Sequence, residues 1–525
     1  MITTELPDTN SGKANAGVLE VSAPPEKELS LSSGFLKHEL RRLALQSSHY
    51  LAGFVASLTV GFVSFPIFTR VLSVSEYGIM DLGQRFLLML TIMSKLGLQN
   101  ASLRFFNREE FAKDPTSAHR YYSTLYFGML GTSVLIVLLV LIAYLAGMKT
   151  LIAAPLASLT FLILGLVLLR SLGAVLLGFL RIEERTKAFN IVTVATRAST
   201  IAAVCGFLFL VGRSARSYFA GTFAVELIVA AILTGWLLRR GVLHLQSFDF
   251  SFFRLAVAFG APLVLYEFAF AVLGSADRFL VRHYLGGDAL GFYSVAYGLA
   301  NNVNELLLTP LSLALIPMYM RIWTSDGAEK TSKFLTTALR LFIVAGVVVL
   351  AAMAANSHSL VVFLASAKYA NANRLIPVIL CGLLVYAGHI FVAAGLLIHK
   401  KTLQMSGLLV ICAVLNIGLN CLLLPVMGLM GGAIATLLSY LACIASLAWA
   451  SHRLLPLRLD MLSCLKYVGA AVLGWAVASR FSNEIPVVDL LLKSVIVFGV
   501  YFAMLYFLDR RVRKVVGWAV SWSQA

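Results

Sequence analysis

Charged residues are scarce: Asp, Glu, Lys and Arg make up 13% of the 525 residues, against about 25% in a soluble domain. That shortage excludes an ordinary water-facing surface. Cysteine is sparse and unpatterned. Cys205, Cys381, Cys412, Cys421, Cys443 and Cys464 lie mostly in apolar runs, with no C-x-x-C pair and no His cluster at ligand spacing, which speaks against a disulfide framework or a metal centre. No glycine-rich phosphate loop is present, so direct ATP coupling is not expected. Residues 1–45 are polar and lack the apolar core of a signal peptide.

Apolar residues dominate instead, at 59% of the chain with a mean hydropathy of +0.87. A bilayer-crossing helix needs roughly 20 apolar residues, and the runs predict about 14 such spans in this chain. Six are expected at 46–69, 78–98, 121–147, 151–180, 188–211 and 218–238. Eight more follow at 252–276, 289–319, 334–355, 375–398, 403–424, 429–449, 464–478 and 487–508.

The net charge of +17 would suggest nucleic acid in a soluble protein, but the cations sit in short loops and read as topology signals, so no nucleic-acid partner is expected. With the N-terminus inside, one set of loops holds Arg104, Arg108, Lys113, Arg120, Arg181, Arg185, Lys187, Arg239, Arg240 and Arg254. Arg321, Lys330, Lys333, Lys400, Lys401, Arg453, Arg458, Lys466 and the basic tail fall on the same side. The opposite loops are poorer in Lys and Arg, which places both termini in the cytoplasm. No opposite loop exceeds roughly 20 residues, which leaves little room for the ordered site of a membrane glycosyltransferase or polymerase.

An internal repeat appears at a period of about 208 to 216 residues. Phe68-Thr69-Arg70-Val71-Leu72, followed by Glu76-Tyr77-Gly78, parallels Ala276-Asp277-Arg278-Phe279-Leu280, followed by Gly291-Phe292-Tyr293. Each repeat opens a block of six spans, so two pseudo-symmetric lobes related by an axis along the membrane normal are expected. The expected division is a cytoplasmic tail at 1–45, lobes at 46–240 and 241–455, two appended helices at 456–508 and a basic cytoplasmic tail at 509–525.

Three segments carry a resemblance. They are Pro66-Ile67-Phe68-Thr69-Arg70-Val71-Leu72-Ser73 with Glu76-Tyr77-Gly78, Gly97-Leu98 and Arg104; Asp277 to Val281 with Tyr284-Leu285-Gly286 and Leu290 to Ser294; and Asn416, Asn420, Pro425, Gly428 and Gly431 to Thr436. In order and spacing they resemble the polysaccharide-transport branch of the multidrug/oligosaccharidyl-lipid/polysaccharide exporter (MOP) superfamily, the branch of the Wzx-type flippases. The resemblance implies an all-α polytopic membrane protein of twelve core helices with two appended ones. It also implies a bacterial inner-membrane flippase for isoprenoid-diphosphate-linked oligosaccharide precursors in surface or exopolysaccharide synthesis. Membrane lipids and the lipid-linked glycan would be its partners, with a polysaccharide polymerase and chain-length machinery as further candidates. No cofactor is expected beyond a coupling H+ or Na+.

Moving an anionic diphosphate through hydrocarbon calls for fixed cations in a wet cleft. Arg85, inside the second span, is a cleft candidate whose ordinary alternative is pairing with Asp81 one turn earlier. Arg70 and Arg278 sit at equivalent repeat positions and suit a charged outer rim, with interface anchoring or pairing of Arg278 with Asp277 as the equally ordinary alternative. Asn301, Asn304 and Glu305 share one helix face and suit sugar hydroxyls. Glu267 is the leading coupling-ion candidate, with Glu226 and Asp277 behind it. Arg197 and His389 read as isolated polar groups, and Pro310 and Pro317 are expected to kink the eighth span. An ion-coupled multidrug or small-molecule antiporter of the same superfamily is the main rival reading, with a lipid II flippase as a third.

Overall fold

A computed structural model of the chain describes residues 61–107, 111, 114–146 and 154–508. The expected tails and the first part of the first expected span lie outside the described residues. Regular structure within them is helical throughout, with no strand. Bilayers leave few alternatives, since every backbone donor and acceptor must be satisfied within its own segment.

The helices begin with α1, described over Gly61–Val71, then α2 (Val74–Lys95), α3 (Leu98–Arg104), α4 (Pro115–Leu145), α5 (Thr160–Ile182), α6 (Thr186–Leu210) and α7 (Ala215–Arg239). They continue with α8 (Phe250–Leu273), α9 (Ala276–Leu360), α10 (Leu375–Ala387), α11 (Thr402–His452), α12 (Met461–Ala478) and α13 (Pro486–Leu508). Nine stretches among the described residues are long and apolar enough to cross a membrane, or ten with the bent pair α2 and α3 counted as one. The chain is therefore a multi-pass membrane protein.

That number is smaller than the expected count because long stretches run through several expected spans. α9 has non-helical dihedrals at Gly286 and Gly327, and α11 at Gly428. These breaks fall between the spans read from hydropathy. Pro310 and Pro317 lie between these breaks, within α9, and keep helical dihedrals. A proline in a helix loses one hydrogen bond, whereas a reversal needs the positive φ that glycine adopts without a Cβ clash; φ is +90° at Gly286 and +81° at Gly327.

One apolar core runs from Phe65 through Leu87, Tyr293 and Tyr319 to Leu447, joining the early helices to the late ones. A second, around Tyr121, Tyr122 and Phe179, is built from α3, α4, α5, α7 and α8. A third docks α12 and α13 on the last part of α9 through Tyr467, Val497 and Tyr501. There Tyr501 Oη donates to the Val344 carbonyl at 2.8 Å, and the buried Asp489 carboxylate accepts from Ser359 and Lys493.

The early and late helices meet most closely where α2 crosses α9. A Cβ on Gly291 would lie 2.1 Å from the Val74 carbonyl oxygen, and one on Gly78 would lie 2.8 Å from the Gly291 nitrogen. Both neighbours are backbone and cannot rotate away. Gly291→Ala should therefore lower stability by roughly 1–3 kcal/mol, the usual range for overpacking, read as an earlier thermal unfolding midpoint in detergent. An unchanged midpoint would mean that the crossing is looser than described.

Candidate functional site

α5, α6 and α7 are 23, 25 and 25 residues long, enough to cross about 30 Å of hydrocarbon at 1.5 Å per residue. Each carries one charged side chain near its midpoint: Arg170, Arg197 and Glu226 respectively. With Lys95, the last residue of α2, they line a cavity of about 550 Å³. Arg170 Nε donates to Glu226 Oε1 at 2.9 Å, while Glu226 Oε2 is buried without a hydrogen-bond partner among the described residues. A connected cavity of about 400 Å³ shares Arg170, Thr196, Arg197 and Glu226 and extends past Gln84 to Gly61 of α1. Gln84 Nε2 donates to Tyr218 Oη at 2.7 Å along that extension.

Among the described residues the site thus sets Arg170 and Arg197 against Glu226 near mid-helix, with Lys95 joining them from the end of α2. Because Arg170 neutralises Glu226, Arg197 and Lys95 remain as excess positive charge. Neither has a hydrogen-bond acceptor among the described residues, although Lys95 lies within electrostatic reach of Glu267. Arg170 and Lys95 were missed in the sequence. The legible signal was one opposite charge at the centre of each of two nearby spans, at positions 170 and 226. Arg197, which reads as isolated, belongs to this group.

A second constellation joins α2 to α9. Arg278 is fully buried, and its Nε donates to Asp81 Oδ2 at 2.8 Å. Its Nη1 donates to Asp277 Oδ1 at 3.2 Å and to the Gly274 carbonyl at 2.8 Å. The guanidinium lies 3.9 Å from the centre of the Tyr297 ring. Asp277 accepts from Tyr293 Oη at 2.7 Å and from Thr436 Oγ1 at 3.3 Å. Arg85 reaches Asp81 Oδ1 at 3.3 Å, the pairing that was its ordinary alternative. Arg278 thus makes the pairing with Asp277 that was its ordinary alternative, and two carboxylates and a tyrosine face enclose it inside protein rather than on an outer rim.

Arg70 is exposed, and its Nη2 donates to the Phe363 carbonyl at 2.7 Å. Lys368 returns the link, donating to the carbonyls of Arg70 and Leu72 at the end of α1. On α9, Asn301 Nδ2 donates to Glu305 Oε1 at 2.8 Å, in keeping with their shared face. Asn304 is buried, with its Oδ1 unpartnered among the described residues. Glu267 is half-buried on α8 and accepts from Gln99 and Asn100, both at 3.4 Å. The His389 ring stacks on Tyr386 and its Nδ1 lies 2.8 Å from the Tyr386 carbonyl.

The second motif segment touches both others, the first through Gly291 and the third through Asp277. Ser73 caps α2, accepting from the Glu76 amide at 3.2 Å, and Glu76 Oε2 in turn accepts from the Ala215 amide that opens α7. Gly78 touches Gly291. Thr436, from the third segment, donates to Asp277, and Asn416 and Asn420 of that segment bond to Ser439 and to each other. The motifs are thus residues that join helices, while the cationic cavity lies beside them.

These helices and their packing define a membrane-transporter fold. The chain matches the structure of the lipid II flippase MurJ in an inward closed conformation at a TM-score of 0.65, with 13% identity over 89% of this chain and all of that one. It matches an inward-facing multidrug resistance MATE family transporter of the MOP superfamily at a TM-score of 0.55, with 15% identity over 76% of this chain and 98% of that one. No curated protein matches the sequence significantly. Residues 46–323 match the model of the polysaccharide biosynthesis protein family, and the chain belongs to that family.

Proposed function

We propose that this protein is a flippase that carries isoprenoid-diphosphate-linked oligosaccharide precursors across the bacterial inner membrane for surface or exopolysaccharide assembly. The observation that carries this reading is the excess of positive charge in one cavity, where Arg170 and Arg197 near mid-helix and Lys95 at the end of α2 stand, among the described residues, with one carboxylate, Glu226. Unpaired charge inside a bilayer is expensive and is retained where it meets a partner of opposite sign. A diphosphate supplies that sign, and forked guanidinium groups match its oxygens.

Movement would come from rocking of the early helices against the late ones around the Asp81–Arg278 joint. With both termini cytoplasmic, that joint lies toward the outer face. Asn301, Asn304 and Glu305 offer donors and acceptors to sugar hydroxyls on the late helices. Glu267, held at long distance by two amides, is the group best suited to take up H+ or Na+, with Glu226 and Asp277 already engaged in close pairs.

The test is reconstitution in liposomes with a labelled polyprenyl-diphosphate oligosaccharide, following its appearance on the far leaflet under an imposed ion gradient. The expected result is gradient-dependent movement that Glu267→Gln uncouples while folding persists. Export of cationic drugs without movement of the lipid-linked glycan would replace this reading with the antiporter.

A further inference from the structure

α6 and α7 form an antiparallel hairpin that is tight near its turn and open beyond it. A Cβ on Gly221 would sit 2.8 Å from Val204 Cα, so the backbones nearly touch at that level. Farther from the turn, Val192 and Thr196 on α6 and Val229 and Leu233 on α7 line a groove of about 320 Å³. Ile191, Ala195 and Ser199 line it on α6, and Ile228 and Ile232 on α7. The spacing of four on one helix and of four on the other makes each set a continuous stripe.

This groove has two sides of opposite character. Ile191, Ile228 and Ile232 are 69%, 57% and 64% exposed, and in a membrane-spanning hairpin the solvent they meet is lipid. The inner wall, Thr196, Val229 and Leu233, is shared with the cationic cavity. An apolar slot open to the bilayer thus abuts a chamber holding Arg170, Arg197 and Lys95. Charge complementarity and apolarity together describe one amphiphile: an anionic head inside, a single hydrocarbon chain leading out.

We infer that the α6–α7 groove is a lateral portal, holding the isoprenoid chain of the substrate while its diphosphate rests on Arg170 and Arg197. The inference rests on the flippase reading and adds the route of the lipid. The chain never leaves hydrocarbon, so only the head and sugars must be rehoused in protein.

The test places a photoreactive benzophenone side chain at Ile228 or Ile232, in liposomes of phosphatidylethanolamine containing radiolabelled polyprenyl diphosphate. The expected yield of cross-linked lipid is about tenfold above that from the same group at Trp449, an exposed lipid-facing position on α11. Competition should strengthen with prenyl chain length, and Arg197→Gln should cut the yield about tenfold. Ala195→Trp, which fills the slot without touching a charge, should do the same. Equal labelling at Trp449 would overturn the portal, as would competition by inorganic diphosphate equal to that by the lipid. The two proposals fail separately. Capture at Ile232 without vectorial glycan movement sinks the flippase and keeps the portal; movement without capture does the reverse.

Discussion

Replacing Arg170 and Arg197 together by glutamine should reduce flipping of a lipid-linked diphosphate at least about 100-fold. A hydrogen bond to a charged group contributes about 1.5–3 kcal/mol, and about 1.4 kcal/mol is tenfold in rate, so two lost cations account for that factor. The single variants separate their roles. Arg197→Gln removes a cation with no described acceptor and should weaken transport while leaving the fold intact. Arg170→Gln also strands Glu226, whose Oε1 loses its 2.9 Å donor and whose Oε2 already has no partner among the described residues. It should therefore lower the unfolding midpoint as well, and Glu226→Gln in the same chain should restore stability without restoring transport. Normal flipping in the double arginine variant would remove the cavity from the mechanism.

Arg278→Ala should destabilise the protein by roughly 3–5 kcal/mol, the range for breaking a buried ion pair from one side. The guanidinium is enclosed by Asp81, Asp277, the Gly274 carbonyl and the Tyr297 ring, so its loss leaves the fully buried Asp277 without its cation. Arg278→Lys should not rescue it, because one ammonium cannot reach two carboxylates and a carbonyl while lying on a ring face. Arg70→Ala, at the equivalent repeat position, should cost less than about 1 kcal/mol, since its link to the Phe363 carbonyl is exposed. Thermal unfolding in detergent checks both. A stable but transport-dead Arg278→Ala would mean that this arginine acts on substrate rather than on the joint.

The contrast between Arg70 and Arg278 shows how far the sequence reaches. Both stand in the same repeat context, yet one is exposed and the other fully buried. Repeat position fixes where a residue lies along the membrane normal, but the neighbours come from other parts of the chain. Asp81 lies 197 residues from Arg278, and Thr436 lies 159 residues from Asp277. The motif residues were nevertheless legible as a set, because Ser73, Glu76, Gly78, Gly291 and Thr436 act through backbone caps and close crossings that only certain residue types permit.

By itself the sequence determined that the chain is helical and built for a bilayer. Hydrocarbon thickness sets the length of each apolar run, and unsatisfied backbone groups exclude other structures. It also placed Arg197 and Glu226 inside expected spans, since depth follows from position along a helix. Only the tertiary structure decided that these two share a cavity with Arg170 and Lys95, and that Arg278 turns inward to Asp81. The reason lies in the helices: surrounded by lipid, they are apolar on nearly every side, so periodicity says little about which face is buried. The rotation of each helix about its axis, and with it the company each charge keeps, is set by close packing between helices.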